Sequence, residues 1–288
     1  MSGTAAVGLP RRFAGLVKLE HTVFALPFAY VGAFLAVDGA PSGRELLWIT
    51  VAMVGARTLA MGLNRLIDAG IDARNPRTAL RELPSGALRA AQVAALCAAA
   101  LALFLVAAWQ LDPLVRLLWP IPVVLFVVYP YLKRITWLCH GWLGASLGLA
   151  PVGAWVAVTG ELPWQAWVLG AAVAAWVAGF DLFYSLFDLE HDRAEGLQSW
   201  AVRFGLDGTF TGARVLHGAT VALLVLAGLG LSVGPGYWAG IGAVAVLLLY
   251  EHRLVRPGDL RRLDAAFFTV NGVISLVFFA FVALESLA

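Results

Sequence analysis

Residues 46–72 read LLWITVAMVGARTLAMGLNRLIDAGID, an apolar run that ends in two aspartates. The apolar part is about 20 residues long, which is the length that a helix needs to cross the hydrocarbon core of a bilayer. Asp68 and Asp72 are four positions apart, so a continued helix would carry both carboxylates on one face. This stretch predicts a membrane helix with a pair of acids at one end.

The whole chain has the same apolar character. Of its 288 residues, 61% are hydrophobic and only 13% are charged, whereas soluble globular proteins average about 25% charged residues. The apolar runs are continuous rather than short and alternating, which excludes a transmembrane β-barrel. We therefore predict an all-α integral membrane protein that forms a single domain over residues 1–288.

Nine apolar runs are candidates for membrane spans. They cover residues 22–37, 46–66, 88–109, 114–132, 136–158, 164–187, 213–233, 237–250 and 265–287. Of the 20 lysines and arginines, 17 fall on one side of this alternation, Arg44 and Arg116 fall on the other, and Arg57 lies inside a span. The positive-inside rule then predicts a cytoplasmic N-terminus, with the C-terminus outside. The long connections 67–87 and 188–212 would face the cytoplasm, in a protein of the cytoplasmic (inner) membrane.

A polar stripe ends the second predicted span. Asn64, Asp68 and Asp72 follow one another at four-residue spacing. Three oxygen donors in one stripe suit a Mg²⁺ ion whose other ligands are phosphate oxygens and water. For this stripe taken alone, the alternative is a solvated helix end whose acids only balance neighbouring arginines.

The end of the sixth predicted span repeats this design. Tyr184, Asp188 and Asp192 are again four residues apart. Both stripes end even-numbered spans and would emerge on the same face of the membrane, where four carboxylates repel one another unless cations lie between them. A solvated helix end explains two matching stripes poorly. Glu190 and His191 are expected to point away from the second stripe and not to be ligands.

Further motifs accompany the two stripes. The full set is Asn64-x-x-x-Asp68-x-x-x-Asp72, Asn75-x-Arg77-Thr78, YPYLKRIT over residues 129–136, and Tyr184-x-x-x-Asp188-x-x-x-Asp192. Together with the nine predicted spans, these motifs resemble the UbiA superfamily of intramembrane prenyltransferases, and the resemblance covers essentially the whole chain. It implies a helical barrel that binds a prenyl diphosphate, with the prenyl tail in an apolar cavity.

The resemblance also implies a reaction, the C-alkylation of an aromatic ring with loss of pyrophosphate. Two Mg²⁺ ions would bridge the diphosphate, held by Asn64, Asp68, Asp72, Asp188 and Asp192. The four aspartates are the expected catalytic residues. Mg²⁺ and cationic side chains would stabilise the charge that develops on the leaving group. A lipid-embedded pocket would keep the allylic cation from water.

Side chains around the stripes are expected to bind the diphosphate substrate. They are Asn64, Arg65, Arg77, Lys133, Arg134 and Tyr184. Lys133 and Arg134 follow the fourth span at its cytoplasmic end, where they could instead be ordinary positive residues of that face.

Two ionisable residues lie deeper in the predicted spans. Arg57 lies seven residues before Asn64, and Asp181 lies seven residues before Asp188. Seven residues are two helical turns, or roughly 10 Å. An ionisable group at that depth is by default a candidate functional residue. We expect both to line the acceptor pocket, with Arg57 at a carboxylate or Asp181 at a ring hydroxyl. A structural Arg57–Asp181 pair is the alternative. His21 could reach the same pocket or lie at the interface.

The acceptor is less determined than the reaction. Residues 18–30 (KLEHTVFALPFAY), 75–78 and 83–86 resemble the hydroxybenzoate-type branch of the superfamily. Some members of that branch are assigned to menaquinone synthesis, so the expected acceptor is 4-hydroxybenzoate or 1,4-dihydroxy-6-naphthoate, in respiratory quinone biosynthesis. A different aromatic acceptor is a further alternative. The expected partners are the two substrates and membrane lipid, with no nucleic acid.

Two other classes of membrane protein also use intramembrane carboxylates. An ion-coupled transporter would place them near the bilayer midplane, on helices broken by glycine or proline, whereas these carboxylates cluster at one face. A CDP-alcohol phosphotransferase packs its aspartates into one contiguous motif, whereas these lie in two segments four helices apart. Both alternatives are weaker than prenyl transfer.

Overall fold

The computed structural model describes residues 12–13, 15–16, 22–256, 259–260, 262–263 and 265–288. Within these residues the regular elements are helices, apart from an isolated bridge between Arg256 and Asp259. The all-α prediction is confirmed for this part of the chain. Lys18 and His21, about which the sequence made predictions, lie outside the described residues.

The helices follow one another with short connections. In chain order they are α1 (Thr22–Leu35), α2 (Gly43–Asp72), α3 (Ala90–Gln110), α4 (Pro113–Leu118), α5 (Pro120–Leu132), α6 (Cys139–Thr159), α7 (Trp164–Ser185), α8 (Leu189–Ala194), α9 (Trp200–Leu229), α10 (Pro235–Leu254) and α11 (Asn271–Ser286). A 3-10 turn, Leu186–Asp188, joins α7 to α8, and a π-helical segment, Ala265–Val270, precedes α11.

Seven helical segments of the described chain are long and apolar enough to cross a membrane. They are Gly43–Asp72, Ala90–Gln110, Pro113–Leu132, Cys139–Thr159, Trp164–Ala194, Trp200–Leu229 and Phe268–Ser286. The chain is therefore an integral membrane protein. The helices α1 and α10 coincide with the two other predicted spans, 22–37 and 237–250, but fall outside this group. Nine crossings and the sides of the two termini stay predictions.

Local sequence determines where several helices begin. The Ser42 hydroxyl accepts a hydrogen bond from the backbone N–H of Glu45 (3.2 Å), and the Glu45 carboxylate accepts one from the Ser42 N–H (2.7 Å). This capping box starts α2. Pro113 and Pro120 each stand in the first turn of a helix, where the missing N–H has no intrahelical partner to lose. The predicted span 114–132 is therefore broken into α4 and α5.

The first acid stripe lies on the last turns of α2, as its spacing predicted, and the helix thus extends past the predicted span 46–66 into the predicted connection 67–87. The helix α2 continues through Asp68 and Asp72 and ends shortly before Asn75. Asn75 precedes Pro76, and a residue before proline disfavours the helical conformation. The connection that follows α2 is therefore shorter than predicted, and the stripe has the rigidity of a helix.

The second predicted loop, 188–212, is also mostly helical. The helix α8 follows Asp188 directly, and α9 begins at Trp200 with Ser199 as its capping residue. Within α9 the chain bends at Gly205, whose φ of 68° lies in the left-handed region that favours glycine. The seventh predicted span, which was expected to start at 213, thus belongs to a longer bent helix.

The helix α7, which leads to the second stripe, is the most buried of the spanning segments and packs against both α6 and α9. A Cβ added at Gly144 of α6 would lie 2.3 Å from the carbonyl oxygen of Ala174 in α7. A Cβ added at Gly148 would lie 2.4 Å from that of Gly170. Glycine thus allows the two backbones to approach closely, which fixes α7 in the middle of the fold.

Candidate active site

Both acid stripes line one polar cavity of about 160 Å³. The cavity lies where α2 ends and where α7 passes into α8. The five oxygen donors of the stripes all line it: Asn64, Asp68, Asp72, Asp188 and Asp192. So do five other residues of the predicted site: Arg65, Arg77, Lys133, Asp181 and Tyr184. Two stripes that are far apart in the sequence therefore meet in space.

Asp68 is buried and has two cationic partners. The Lys133 ammonium lies 3.1 Å from its Oδ2, and Arg134 Nη2 lies 2.9 Å from its Oδ1. The Asn64 amide also donates a hydrogen bond to Oδ2 (3.1 Å). Lys133 and Arg134 thus do more than balance charge at the membrane surface, because both are ion-paired with the first stripe.

Asp72 is held in the same manner by a different arginine. Both of its carboxylate oxygens accept hydrogen bonds of 2.8 Å from Arg81 Nη1. Arg65 Nη1 lies 3.8 Å from Oδ2. The Thr78 hydroxyl donates to the Asp72 backbone carbonyl (2.9 Å), which ties the connection after α2 back onto the end of that helix.

Asp188 links the second stripe to the connection after the first. Arg77 donates to both carboxylate oxygens, with an Nε–Oδ1 distance of 2.8 Å, and the Asn75 amide donates to Oδ1 (2.8 Å). Arg77 Nη1 also donates to the Tyr184 hydroxyl (2.9 Å). Burial would lower the pKa of Arg77, but the hydrogen bond to Asp188 and the neighbouring Tyr184 and Asp188 raise it above its ordinary value. Arg77 is therefore charged throughout the physiological range.

Asp192 differs from the other three aspartates of the stripes. It takes part in none of the ion pairs that involve the described residues. It still lines the polar cavity with the others. Among the four stripe aspartates, Asp192 is thus the one that forms no ion pair with an arginine or lysine of the described residues, although the charge of Lys133 still acts on it.

The donor set of the polar cavity fits Mg²⁺ bound together with phosphate. Its members are carboxylate and amide oxygens, which are the ligands that a hard divalent ion prefers. In the described part of the chain, no group of three acidic, histidine or cysteine side chains is arranged to hold a metal by itself. Mg²⁺ commonly takes only one or two carboxylates and completes its octahedron with phosphate oxygens and water. The arrangement therefore suits an ion that binds with a diphosphate.

A second, larger cavity of about 420 Å³ adjoins the polar one. Six residues line both: Asn64, Arg65, Arg81, Tyr129, Asp181 and Tyr184. The remaining lining is almost entirely apolar and comes from helices α1 to α7. The polar cavity between the acid stripes therefore opens directly into a hydrophobic space within the membrane-spanning part of the fold.

Arg57 lines this apolar cavity and has no hydrogen-bond or ion-pair partner among the described residues. Its Nε atom is buried and has no hydrogen bond, and no ion pair of the described residues includes its guanidinium. The predicted alternative, a structural pair with Asp181, is not found among these residues. A buried polar atom without a partner is costly, so the buried Nε makes Arg57 a candidate for binding an anionic group of a ligand.

Asp181 is paired with a residue that sequence reasoning missed. Its Oδ2 lies 2.7 Å from His140 Nδ1. The other ring nitrogen, Nε2, accepts a hydrogen bond from the Trp200 backbone N–H (3.3 Å). Because Nε2 is an acceptor, the proton of a neutral imidazole lies on Nδ1 and is donated to Asp181. His140 thus orients this carboxylate at the junction of the two cavities.

The sequence did not predict the contacts that Asn75, Arg81 and His140 make with the aspartates of the site. Asn75 and Arg81 lie in the irregular connection after α2, where no periodic spacing points to a partner. For His140 a signal existed, since an ionisable side chain inside an apolar run is a candidate functional residue.

His191 was expected to point away from the second stripe, and this prediction was wrong, because His191 lines the polar cavity. The 3-10 turn Leu186–Asp188 interrupts the helical phase, so four-residue spacing from α7 does not extend to α8.

Comparison with known proteins identifies the class that this fold and site define. The UbiA prenyltransferase family matches residues 25–281, and the chain belongs to this family. The predicted family is thereby confirmed. Membership favours an enzyme over the transporter and phosphotransferase alternatives.

Individual relatives cover nearly the whole chain. The 4-hydroxybenzoate octaprenyltransferase of Aliivibrio fischeri is 30% identical over 271 residues, which are 94% of this chain and 92% of that protein. The protein of the same name from Azotobacter vinelandii is 32% identical over 258 residues, 88% of this chain and 87% of that one.

Solved structures agree with the fold. The apo structure of a UbiA homolog from Aeropyrum pernix K1 superimposes with a TM-score of 0.84 at 32% identity, covering 92% of this chain and 98% of that one. A UbiA homolog from Archaeoglobus fulgidus bound to GPP and Mg²⁺ gives a TM-score of 0.76 at 19% identity, over 96% and 99% of the two chains. The UbiA fold is thus shared.

Proposed function

We propose that the protein transfers a polyprenyl group from a polyprenyl diphosphate to the ring of 4-hydroxybenzoate in respiratory quinone biosynthesis, with Mg²⁺ as cofactor. The relatives named 4-hydroxybenzoate octaprenyltransferase support this acceptor. One observation carries the proposal: a polar cavity lined by both acid stripes is continuous with an apolar cavity lined by Arg57, which is unpaired within the part of the chain that the structure describes.

In this proposal the polar cavity binds the diphosphate. Asn64, Asp68 and Asp72 would hold one Mg²⁺ ion, and Asp188 and Asp192 a second. The two ions would neutralise charge on the departing pyrophosphate. The arginines and the lysine that contact the aspartates would exchange a carboxylate for a phosphate oxygen, which keeps each positive charge compensated.

The acceptor would bind at the junction of the two cavities. Arg57 would bind the carboxylate of 4-hydroxybenzoate, and Asp181 would accept a hydrogen bond from the phenolic hydroxyl. His140, through its Nδ1–H, holds the Asp181 carboxylate in place for this contact. As the allylic C–O bond breaks and the new C–C bond forms, the ring must lose a proton. Asp181 is the base that lines this part of the cavity.

The apolar cavity would hold the prenyl tail and keep the reaction dry. Its lining supplies few polar groups besides those at the junction, so little water competes with the ring for the allylic cation. Binding the tail in a hydrophobic space also supplies affinity in proportion to the apolar area removed from water.

We further propose nine membrane crossings in a single domain over residues 1–288, with the N-terminus cytoplasmic and the C-terminus outside. The asymmetry of lysine and arginine supports this topology. The polar cavity would then face the cytoplasm from the inner membrane, where water-soluble 4-hydroxybenzoate and Mg²⁺ are accessible.

The proposed reaction predicts Mg²⁺-dependent product in a transfer assay. Purified protein in nanodiscs would receive octaprenyl diphosphate, Mg²⁺ and either 4-hydroxybenzoate or 1,4-dihydroxy-6-naphthoate. Prenylated 4-hydroxybenzoate is expected, and chelation of the metal should abolish it because the leaving group then lacks its stabilising charge. Product with the naphthoate alone would overturn the proposed acceptor. No product and no diphosphate binding would overturn the enzyme class.

Arg57→Lys tests the acceptor site. The Michaelis constant for 4-hydroxybenzoate is expected to rise about tenfold, because a lysine ammonium cannot reproduce the bidentate contact of a guanidinium with a carboxylate. The Michaelis constant for the prenyl diphosphate should stay unchanged. Arg44→Lys, at an exposed arginine bonded to Gln110, is the matched control. An acceptor Michaelis constant that is the same in Arg57→Lys and in the unsubstituted protein would refute the contact.

A further inference from the structure

Gly153 of α6 has an environment unlike that of the packing glycines in the same helix. A Cβ added at Gly144 or Gly148 would collide with the α7 backbone, whereas one added at Gly153 would meet nothing within 4 Å. Gly153 is exposed, and it lines the apolar cavity. Glycine weakens a helix relative to alanine, and no contact with a described helix requires it here. The space beside Gly153 is therefore the feature that remains to be explained.

The position of Gly153 along the cavity is informative. It follows His140, which lines the polar cavity, by 13 residues, or roughly 20 Å along a helix. The cavity lining also includes Val115 in α4 and Leu162 in the connection between α6 and α7. This connection lies at the end of α6 that is remote from His140. A tail that starts between the acid stripes thus passes Gly153 before it reaches the far end.

The far end of the cavity has exposed apolar side chains. Ile121 of α5 is 47% exposed and Trp167 of α7 is 51% exposed, and both line the cavity. In a membrane-spanning protein, apolar side chains that are both exposed and cavity-lining mark a place where the cavity meets lipid. A prenyl tail longer than the cavity could leave the protein there without entering water.

We propose that Gly153 keeps open the passage by which a long prenyl tail reaches the lipid, and that this position limits the longest donor the protein accepts. The inference rests on the proposed function in that the ligand is a prenyl diphosphate. Beyond the proposed function, Gly153 determines the accepted donor length, and the tail reaches the lipid by the passage beside Gly153. Short donors end before Gly153 and do not depend on it.

The test is a length series with Gly153→Ala, Gly153→Leu and Gly153→Phe. Binding of geranyl, geranylgeranyl and octaprenyl diphosphate would be measured with Mg²⁺ and without acceptor, followed by transfer to 4-hydroxybenzoate. In Gly153→Phe the affinity for the octaprenyl donor is expected to fall about tenfold or more, because isoprene units that cannot pass lose their apolar burial. Affinity for the geranyl donor should be unchanged, which also shows that the variant is folded. Gly153→Ala should retain all three donors.

Gly242→Phe in α10 is the matched control. Gly242 is exposed, its added Cβ would also meet nothing within 4 Å, and it does not line the cavity. The Gly242→Phe variant should show the same preference for donor length as the unsubstituted protein. An equal loss for all donors in the Gly153 series, or full retention of the octaprenyl donor by Gly153→Phe, would overturn the inference. If the unsubstituted protein binds the donors but transfers none, the proposed function fails, while the length dependence of binding still decides the role of Gly153.

Discussion

Asp68→Asn is expected to lower the rate of prenyl transfer by about a hundredfold to a thousandfold, the scale for removing one group that stabilises developing charge. Asp68 is buried at 2% exposure and touches both Lys133 and Arg134. Asparagine keeps the shape of the side chain but removes the negative charge. The site would lose an anionic metal ligand, and half-buried Lys133 and exposed Arg134 would no longer share a carboxylate.

The measurement is the initial rate of transfer as a function of Mg²⁺ concentration. If Asp68 binds the metal, more Mg²⁺ is needed for the half-maximal rate of the variant, and saturating metal restores part of the loss. Glu190→Gln is the control, because Glu190 is an exposed acid beside the second stripe whose ion-pair partner is Arg193. Equal rates and equal Mg²⁺ dependence in Asp68→Asn and Glu190→Gln would refute the assigned role.

Gly32→Val is expected to destabilise the fold more than any conservative surface change. A Cβ at Gly32 of α1 would lie 2.2 Å from the carbonyl oxygen of Pro151 and 2.7 Å from its Cα. These are backbone atoms of α6, which cannot rotate away as a side chain could. Overpacking of this kind costs about 1–3 kcal/mol or more, so α1 and α6 must separate.

Thermal unfolding in detergent would measure this effect. The midpoint for Gly32→Val should lie several degrees below that of the unsubstituted protein, with loss of helical signal over the same range. Gly242→Val makes the same change at a helical glycine whose Cβ would meet open space, and it accounts for the intrinsic preference of valine. Identical midpoints for the two variants would show that the close approach of α1 to α6 is not required.

Much of the fold follows from hydrophobicity alone. Long apolar runs have one stable form in a bilayer, the helix, so the nine runs could be located without knowledge of their packing. Their ends were harder to predict. Pro120 divides one run into two helices, and α2 extends through Asp72 although its predicted span ended at residue 66. Helix ends depend on capping residues and on single residues such as proline. The average polarity of a segment does not reveal these effects.

Periodic spacing predicted the acid stripes of the candidate site, and neighbouring motifs added Arg77, Lys133 and Arg134, whereas other contacts of the site were hidden. Four-residue spacing identified both acid stripes, although only the first lies on one continuous helix and the second crosses the 3-10 turn Leu186–Asp188. Arg81 and Asn75 reach the aspartates only through the path of an irregular connection, which no spacing encodes. His140 and Asp181 come from different helices, so their 2.7 Å contact depends on how α6 packs on α7. Tertiary structure alone joins such pairs.

Asp68, Asp72 and Asp188 each have a cationic partner in the fold, so the site contains its own counterions. Free magnesium would have to displace these partners, and a free polyanion would have to compete with the aspartates for them. When both arrive together, every charge finds a new partner at once. By thermodynamic linkage, each ligand then raises the affinity for the other by the same factor. Under the proposed function, the site would thereby favour the magnesium–diphosphate complex over either component alone.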